Sequence, residues 1–203
     1  MAPTTILLAS RNAKKLGELR RILGPALPGL EVIGLDDLAS IGVRAYDEVP
    51  ETGATFAENA LIKAREGFTH TGLPTVADDS GLTVDALNGM PGVLSARWCG
   101  RHGDDRANNE LLLAQLADVP DERLTAAFRA SVAYVDGERE LVVDGEMAGS
   151  LVREERGANG FGYDPLFVPA GHRQTSAELD PEVKDGISHR GQALRLLAEL
   201  LAR

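Results

Sequence analysis

The chain has 203 residues, of which 43% are hydrophobic and 26% are charged, the balance of a folded globular protein rather than a disordered one. Its formal net charge of -10 argues against broad, sequence-independent binding to nucleic acid, which needs a basic surface. Cys99 is the only cysteine, so no internal disulfide can form and a reducing compartment is expected. The sequence shows no apolar run long enough for a membrane span and no secretory leader, so we predict a cytoplasmic protein without a membrane partner.

Apolar runs and helical spacing predict strands that alternate with helices in the first part of the chain. Short apolar runs predict strands at "TTILLAS" and "LEVIGL", and a third at "LPTVADDSGL", which should end in a loop at its acidic pair. Leucines at helical spacing predict a helix over "NAKKLGELRRILG", stopped by Gly24-Pro25. A second helix is predicted over "ATFAENALIKAREGFTHTG", with Ala60 and Ala64 on its apolar face.

The rest of the chain predicts two helices and two long strands. "NNELLLAQLADV" has a helical pattern, and "SHRGQALRLLAELLAR" closes the chain with a helix whose apolar face includes Leu194 and Leu197. "LTAAFRASVAYVDG" and "RELVVDGEMAGSLV" predict strands joined at Asp136-Gly137. Alternation followed by neighbouring strands favours an α/β fold with a mixed sheet. No repeat or flexible linker divides the chain, so residues 1–203 are predicted to form a single domain.

The segment "SRNAKK" is the first polar interruption of this pattern. Ser10 and Asn12 can cap the helix that follows, and free backbone N–H groups at a helix start can bind phosphate. Lys14 or Lys15 would place a cation beside the same anion. A capped helix with a solvated basic face also explains the segment without a ligand. It is not a P-loop, because the pattern G-x-x-x-x-G-K-[ST] occurs nowhere in the chain.

Carboxylates dominate the next two segments, "EVPETGATFAENALIKA" and "ADDSG". Thr55 and Glu58 fit a capping box, so Glu58 has a structural explanation, whereas Glu51 stays available as a hard oxygen ligand. Asp78 and Asp79 are adjacent, so on a strand their side chains should point to opposite faces and not act as one dyad. Mg²⁺ is usually held by one or two carboxylates together with substrate phosphate oxygens. A turn-forming, helix-capping role for "DDSG" is the alternative.

Glycines and hydrogen-bond donors characterise the last two polar segments. The glycines of "GANGFGYDPLFV" do not follow the order G-x-G-x-x-G, which argues against a Rossmann cofactor site. Glycines beside Phe161 and Tyr163 would let backbone approach a flat ligand while an aromatic ring stacks on it, although a glycine-rich bend needs no ligand. In "EVKDGISHRGQAL", Lys184, His189 and Arg190 are donors near the start of the terminal helix, where a capped and solvated first turn is the alternative.

Five segments in this order closely resemble the motifs of the inosine triphosphate pyrophosphatase family: "SRNAKK", "ETGATFAENALIKA", "ADDSGLTVDALNGMPGVLSARW", "GANGFGYDPLFVP" and "ELDPEVKDGISHRGQAL". The resemblance extends from about Leu7 to Leu200. It implies an elongated two-lobed α/β fold with a long central mixed β-sheet, flanking helices and a cleft between the lobes. It also implies a homodimer that uses Mg²⁺ to hydrolyse noncanonical purine nucleoside triphosphates (ITP, dITP and XTP) to the monophosphate and pyrophosphate.

The resemblance further implies roles for individual residues. The family's general base, which is also a metal ligand, falls on Asp79, and its other metal carboxylate falls on Glu51. Its substrate-binding positions fall on Ser10, Asn12, Lys15, Lys63, Ser80, Phe161, Gly162, Tyr163, Asp164, Lys184, His189 and Arg190. One position departs from the pattern, because the family usually has glycine where this chain has Arg11. If that position needs a positive φ, arginine is strained there; otherwise it adds an exposed cation.

Two other function classes are compatible with parts of this pattern. A non-catalytic nucleotide sensor could keep the contacts of "SRNAKK" and "SHRG" without Glu51 or Asp79, so the retained carboxylates weigh against it. A septum-formation-like pyrophosphatase could share an α/β scaffold with a different base pocket, and the intact "FGYD" and "SHR" segments weigh against that class. We therefore expect a Mg²⁺-dependent pyrophosphatase that binds a small-molecule nucleotide and has no nucleic-acid partner.

Overall fold

The computed structural model describes residues 3–44 and 46–202. Within these residues the strands are β1 (Thr5–Leu8), β2 (Glu31–Gly34), β3 (Thr75–Val84), β4 (Thr125–Val135), β5 (Glu140–Leu151) and β6 (Phe167–Pro169). The α-helices are α1 (Ala13–Ala26), α2 (Phe56–Thr71), α3 (Asp105–Gln115), α4 (Pro181–Ile187) and α5 (His189–Leu201). No helix in this described part of the chain is both long enough and apolar enough to cross a membrane.

The strands of the described part form one mixed sheet in the order β2-β1-β3-β4-β5-β6. β1 pairs in parallel with β2 and with β3, as strands connected through helices do, whereas β5 and β6 pair antiparallel. The predicted α/β class, with a mixed sheet and flanking helices, is confirmed. The two lobes and the cleft that the resemblance implies stay predictions.

Helices pack on both faces of β3. Successive side chains of the strand alternate between these faces, so each face contacts different helices. Val76 belongs to a buried hydrophobic cluster with Leu19 of α1 and Leu197 of α5. The next residue, Ala77, belongs to a different cluster with Ala60 of α2. Even-numbered positions in this part of β3 therefore face α1 and α5, and odd-numbered positions face α2.

The acidic pair lies inside a strand, so the predicted loop at this point is wrong. β3 continues through Asp78 and Asp79 to Val84 instead of ending in a Ser-Gly turn, and the capping role considered for "DDSG" is wrong with it. Two carboxylates can occupy the middle of a strand here because side chains from α1, α2 and α5 bind them. The predicted opposite orientation of the two carboxylates is confirmed by these separate partners.

Two helix assignments differ from the sequence-based prediction. α1 continues through Gly24 and Pro25 to Ala26, because a proline in the last turn removes only one hydrogen bond near the helix end. α4 was not predicted. Its signal in the sequence is Asp180, which is the N-cap, followed by Pro181 at the first helical position.

The chain forms two compact units, each with its own buried hydrophobic residues. The first unit comprises Met1–Asp79, Ala130–Gly145 and Arg190–Arg203, and the second comprises Ser80–Arg129 and Glu146–His189. Because the chain passes from the first unit to the second and back twice, no single cut in the sequence separates them. That the chain is one domain stays a prediction.

Candidate active site

The N-terminus of α1 follows β1 and is capped as predicted. Asn12 is the N-cap, and its Oδ1 accepts the backbone N–H groups of Lys14 at 3.0 Å and Lys15 at 3.3 Å. Ser10 Oγ accepts the backbone N–H of Asn12 at 3.1 Å. The interpretation of "SRNAKK" as a capped helix start is confirmed, and phosphate binding at Ser10, Asn12 and Lys15 stays a prediction.

Arg11, which stands where the resemblance leads one to expect glycine, is accommodated without backbone strain. Among the described residues, Asn88 is the one non-glycine residue with a positive φ, so Arg11 does not adopt the left-handed conformation. Its Nη1 donates to Asp36 at 2.6 Å, its Nη2 to the carbonyl of Tyr46 at 2.9 Å, and its backbone N–H to Glu48 at 3.0 Å. Arg11 thus ties the start of α1 to the segment that leads into the "ETG" turn.

Asp78 binds two cations on the face of β3 that α1 and α5 cover. Its Oδ1 lies 3.0 Å from Lys15 Nζ, and Arg190 Nε donates to its Oδ2 at 2.9 Å. Arg190 also donates from Nη1 to Glu18, which lies three residues after Lys15 on α1. Burial disfavours the charged form of Asp78, but the charges of Lys15, Arg190 and Lys63 outweigh it and hold the pKa of Asp78 well below its usual range. Asp78 is therefore an ionised group that binds the half-buried ammonium of Lys15 and the buried guanidinium of Arg190.

Asp79 lies on the opposite face of β3, where α2 supplies its partners. Asn59 Nδ2 donates to Asp79 Oδ2 at 3.0 Å, and Lys63 Nζ lies 3.6 Å from Asp79 Oδ1. The same ammonium donates to Glu51 Oε1 at 2.7 Å and to the backbone carbonyl of Asp78 at 2.8 Å. Glu51 and Asp79, which are far apart in the sequence, therefore converge on one lysine.

The proton affinity of this second carboxylate is increased. Burial raises the pKa of Asp79, and the charge of Glu51 raises it further, while Lys63 and the Asn59 hydrogen bond oppose both effects without cancelling them. Burial by itself would lower the pKa of Lys63, but the charges of Asp79, Asp78 and Glu51 raise it above its usual value. The site thus pairs a lysine whose charged form is favoured with a carboxylate that accepts a proton more readily than an exposed aspartate does.

Asn59 links the "ETG" turn to Asp79, and the sequence analysis did not assign it to the site. It is fully buried, and its Oδ1 accepts the backbone N–H of Gly53 at 2.7 Å while its Nδ2 holds Asp79. A Cβ at Gly53 would lie 2.8 Å from Asn59 Oδ1, so glycine is required for this close approach. The spacing of Asn59 and Lys63, four residues apart on one face of α2, is the signal that could have identified it.

Glu51 and Asp79 fit the requirements of a Mg²⁺ ion that arrives with a phosphate. In residues 3–44 and 46–202, no three His, Cys, Asp or Glu side chains are grouped in a way that could hold a metal ion by themselves. Mg²⁺ does not need such a cage, because it commonly takes one or two carboxylates and completes its coordination with water and substrate oxygens. Glu51 and Asp79 would supply two carboxylates of this kind.

In the second unit, the glycine-rich segment presents Phe161 between two glycines in the left-handed conformation. Gly160 has a φ of +76° and Gly162 a φ of +61°. Asp164 accepts the backbone N–H of Phe161 at 2.9 Å, and Lys184 Nζ lies 2.5 Å from the same carboxylate oxygen and 5.7 Å from the centre of the Phe161 ring. An aromatic ring, a carboxylate and an ammonium are therefore held side by side.

Two further predicted residues of this unit have structural contacts. Tyr163 is buried and its hydroxyl donates to the carbonyl of Ser95 at 2.9 Å, so its ring belongs to the hydrophobic core and Phe161 is the more accessible ring of this motif. The buried ring of His189 stacks on Phe128, with ring centres 5.1 Å apart and planes inclined by 12°.

The residues that the resemblance implied thus fall largely into three contact groups. These are Lys15 with Asp78 and Arg190, Glu51 with Lys63 and Asp79, and Phe161 with Asp164 and Lys184. Ser80 follows Asp79 in β3 and is half-buried. The sequence grouped Arg190 with Lys184, but in the structure Arg190 binds carboxylates of the first unit and Lys184 binds Asp164 of the second.

Nearly the whole chain, residues 6–200, matches the model of the Ham1 family. The chain belongs to the Ham1 family. A relative from Nocardia farcinica named dITP/XTP pyrophosphatase is 62% identical over 204 residues, which cover 100% of this chain and 97% of the relative. A relative of the same name from Mycobacteroides abscessus is 61% identical over 198 residues, covering 97% and 94% of the two chains. The family resemblance found in the sequence is confirmed.

Solved structures of Ham1 proteins have the same fold. A HAM1 protein from Coxiella burnetii is 41% identical and superposes with a TM-score of 0.87 over 98% of both chains. A crystal structure from Mycobacterium abscessus, described as a nucleoside-triphosphatase and dITP/XTP pyrophosphatase, is 62% identical with a TM-score of 0.77, covering 95% of this chain and 98% of that one.

Proposed function

We propose that this Ham1 protein hydrolyses the noncanonical purine nucleoside triphosphates ITP, dITP and XTP to the monophosphate and pyrophosphate, with Mg²⁺ as its cofactor. Two relatives that match it over nearly their whole length are named dITP/XTP pyrophosphatase, which supports the substrate class. Such an activity removes aberrant nucleotides from the pool of nucleic-acid precursors.

The observation that carries the proposal is the convergence of Glu51 and Asp79 on Lys63. Lys63 Nζ lies 2.7 Å from Glu51 Oε1 and 3.6 Å from Asp79 Oδ1. A nucleotide sensor has no need of a carboxylate that is buried, held by an amide and raised in pKa, whereas a hydrolase needs a group that takes a proton from water. The arrangement therefore favours catalysis over binding alone.

In the proposed reaction, Asp79 is the general base. Its Oδ2 accepts a hydrogen bond from Asn59 at 3.0 Å, which fixes the orientation of the carboxylate that takes the proton of the attacking water. The water oxygen forms a bond to the α-phosphorus as the bond to the pyrophosphate oxygen breaks, and the pair of electrons leaves with pyrophosphate. When bound by Glu51 and Asp79, Mg²⁺ supplies neutralisation of phosphate charge.

The cations of the first unit are suited to binding the triphosphate. Lys63 and Lys15 are held in place by carboxylates, so little side-chain freedom remains to be lost when an anion binds. The ammonium of Lys63 also keeps the two carboxylates together before the substrate arrives. We assign the phosphate contacts to these lysines, with Ser10 and Asn12 at the start of α1.

The purine base is assigned to the second unit, where Phe161 offers a ring for stacking. Lys184 carries only donors, which suit the O6 acceptor of hypoxanthine and xanthine and oppose the 6-amino group of adenine. Asp164 fixes the ammonium of Lys184 at 2.5 Å and the backbone of Phe161 at 2.9 Å. We assign Gly162, Tyr163 and His189 to the support of this base site, and Ser80 to the substrate beside Asp79.

The test is a comparison of pyrophosphate and phosphate release from ITP, dITP, XTP, GTP, ATP and dTTP at equal concentration. We expect pyrophosphate from the first three at rates far above the others. Nucleotide binding without turnover would indicate a sensor, and preference for dTTP would indicate a septum-formation-like pyrophosphatase. A cytoplasmic homodimer remains part of the proposal, and light scattering after size-exclusion chromatography tests the dimer.

A further inference from the structure

Helix α3 binds both backbone polar groups of Gly162. The N–H of Gly162 donates to Asp105 Oδ2 at 2.8 Å, and the carbonyl of Gly162 accepts from Asn109 Nδ2 at 3.2 Å. Asn109 is buried and also donates to Glu155 at 2.7 Å, whereas Asp105 is exposed in the first turn of the helix. Two residues one helical turn apart therefore hold a single glycine.

This glycine needs external support to keep its conformation. Gly162 has a φ of +61°, and a Cβ there would meet no atom within 4 Å, so glycine is required by the left-handed backbone and not by lack of space. Glycine has the widest conformational freedom of all residues, and an unsupported glycine would sample many other conformations. Gly162 lies in the turn between Phe161 and Asp164, whose carboxylate accepts the Phe161 N–H, so a change in the Gly162 backbone would shift Phe161 relative to Asp164.

We propose that Asp105 is a positioning residue for recognition of the purine base. Its carboxylate fixes Gly162, Gly162 fixes Phe161, and Phe161 shares Asp164 with Lys184. Asp105 acts through the backbone of Gly162 and contacts no reacting atom. The inference rests on the proposed function, because it concerns the same base site.

Three variants separate this role from a general contribution to stability. Asp105→Ala removes the acceptor, while Asp105→Asn keeps an oxygen that can accept the Gly162 N–H. Asp104→Ala is the matched control: Asp104 is the N-cap of α3 and accepts the N–H of Ala107 at 3.1 Å, so its loss weakens the same helix. Both positions of the comparison lie at the same end of α3, and only the Asp105 variants alter the contact with Gly162.

The measurements are KM and kcat for ITP with Mg²⁺, the Kd of inosine monophosphate by calorimetry in EDTA, and the melting temperature. For Asp105→Ala we expect KM and this Kd to rise about tenfold, the effect of losing one hydrogen bond to a charged acceptor, with kcat changed less than about threefold. Asp105→Asn should stay within about threefold of the wild type. Asp104→Ala should lower the melting temperature and leave KM and Kd unchanged.

The inference is overturned if Asp105→Ala leaves KM and Kd unchanged, if Asp105→Asn is as defective as Asp105→Ala, or if Asp104→Ala raises KM to the same extent. Failure of the proposed function looks different: the wild type itself would release no pyrophosphate from ITP, dITP or XTP. In that case the calorimetric comparison still decides, because a wild type that binds inosine monophosphate must bind it more tightly than Asp105→Ala does. A wild type that neither turns over these nucleotides nor binds the monophosphate would overturn both.

Discussion

Asp78 and Asp79 are neighbours in β3, yet their carboxylates are held by different helices. Asp78 Oδ1 lies 3.0 Å from Lys15 Nζ of α1, whereas Asp79 Oδ2 accepts a hydrogen bond from Asn59 of α2 at 3.0 Å. Burial acts to raise the pKa of both carboxylates. At Asp78 the nearby cations outweigh burial and lower the pKa, whereas at Asp79 burial prevails and the pKa is raised. One carboxylate is thereby fixed as an anion, and the other is suited to accept a proton.

Replacing Asp79 by Asn should nearly abolish turnover while the fold stays intact. The amide keeps the shape of the side chain but can neither take the proton of the water nor contribute a charge to Mg²⁺. Loss of a general base reduces rates by ~10²–10⁴-fold, so we expect kcat for ITP to decrease by a factor of this size. Pyrophosphate release and circular dichroism are the measurements. Retention of more than about a tenth of the wild-type rate would remove the role assigned to Asp79.

Asp78→Asn should instead lower stability. It removes the negative charge that the buried Arg190 and the half-buried Lys15 share. Removal of one partner of a buried ion pair costs about 3 kcal/mol of unfolding free energy. Because the folded pKa of Asp78 lies below its unfolded value, its contribution is present above the unfolded pKa and is lost as the pH falls through the folded pKa. The difference between wild type and variant should therefore shrink in acid. Urea unfolding in EDTA measures it.

The matched control for this stability effect is Asp79→Asn, one residue further along the same strand. Burial already disfavours the charge of Asp79, so a neutral amide should cost little stability there. Equal destabilisation by the two substitutions at neutral pH would contradict the different roles of the two carboxylates.

Activity should be lost in EDTA and return when Mg²⁺ is added. Glu51→Gln should raise the Mg²⁺ concentration needed for half-maximal rate by about tenfold, because one of the two charged ligands is gone. Ca²⁺ should support the reaction poorly, since its looser coordination aligns the attacking water less well. Glu48→Gln is the control, because it removes a charge from the same segment and its amide oxygen can still accept the Arg11 N–H. Full activity in excess chelator would exclude the metal assignment.

Arg11→Gly restores the residue expected from the family resemblance, and we expect only a small effect. The Arg11–Asp36 ion pair is solvent-exposed, with side chains 42% and 71% accessible, and exposed pairs contribute ~0.2–1 kcal/mol. The melting temperature should fall slightly, since surface substitutions usually change stability by about 0.5 kcal/mol or less, and kcat/KM should stay within about threefold. A tenfold loss of kcat/KM would show that the tie to the "ETG" turn positions Glu51.

Base selectivity should respond to Lys184 and not to Arg190. Lys184→Met removes a donor beside Phe161, and the ratio of kcat/KM for ITP to that for ATP should shrink by about tenfold or more. Arg190 binds Asp78 and Glu18, so Arg190→Met should lower stability and reduce kcat/KM for both nucleotides alike. An unchanged ITP-to-ATP ratio in Lys184→Met, or a selective loss of ITP in Arg190→Met, would show that the assignment of the base contact is wrong.

Local features of the chain were readable from the sequence because they depend on residues close together along it. The N-caps at Asn12 and Thr55, the helix over Phe56–Thr71 and the long strands on either side of the turn at Gly137 all follow from short-range spacing and capping chemistry. The opposite orientation of Asp78 and Asp79 follows from the two-residue period of a strand. The family resemblance then implied a substrate class and roles for single residues, which no spacing rule could provide.

Only the tertiary structure decided what the polar residues bind. Asp78 binds Arg190, 112 positions away, and Asp79 binds Asn59, 20 positions away, and neither separation leaves a periodic signal in the sequence. The acidic pair and the following Ser-Gly predicted a loop after a short apolar run. In the structure, Lys15, Arg190, Asn59 and Lys63 compensate for the burial of both carboxylates, and β3 continues. The sequence by itself determined most of the helices and strands and the family, since these are local and cumulative properties. The folded chain alone determined the protonation and pairing of the site, since these depend on distances between residues that only packing brings together.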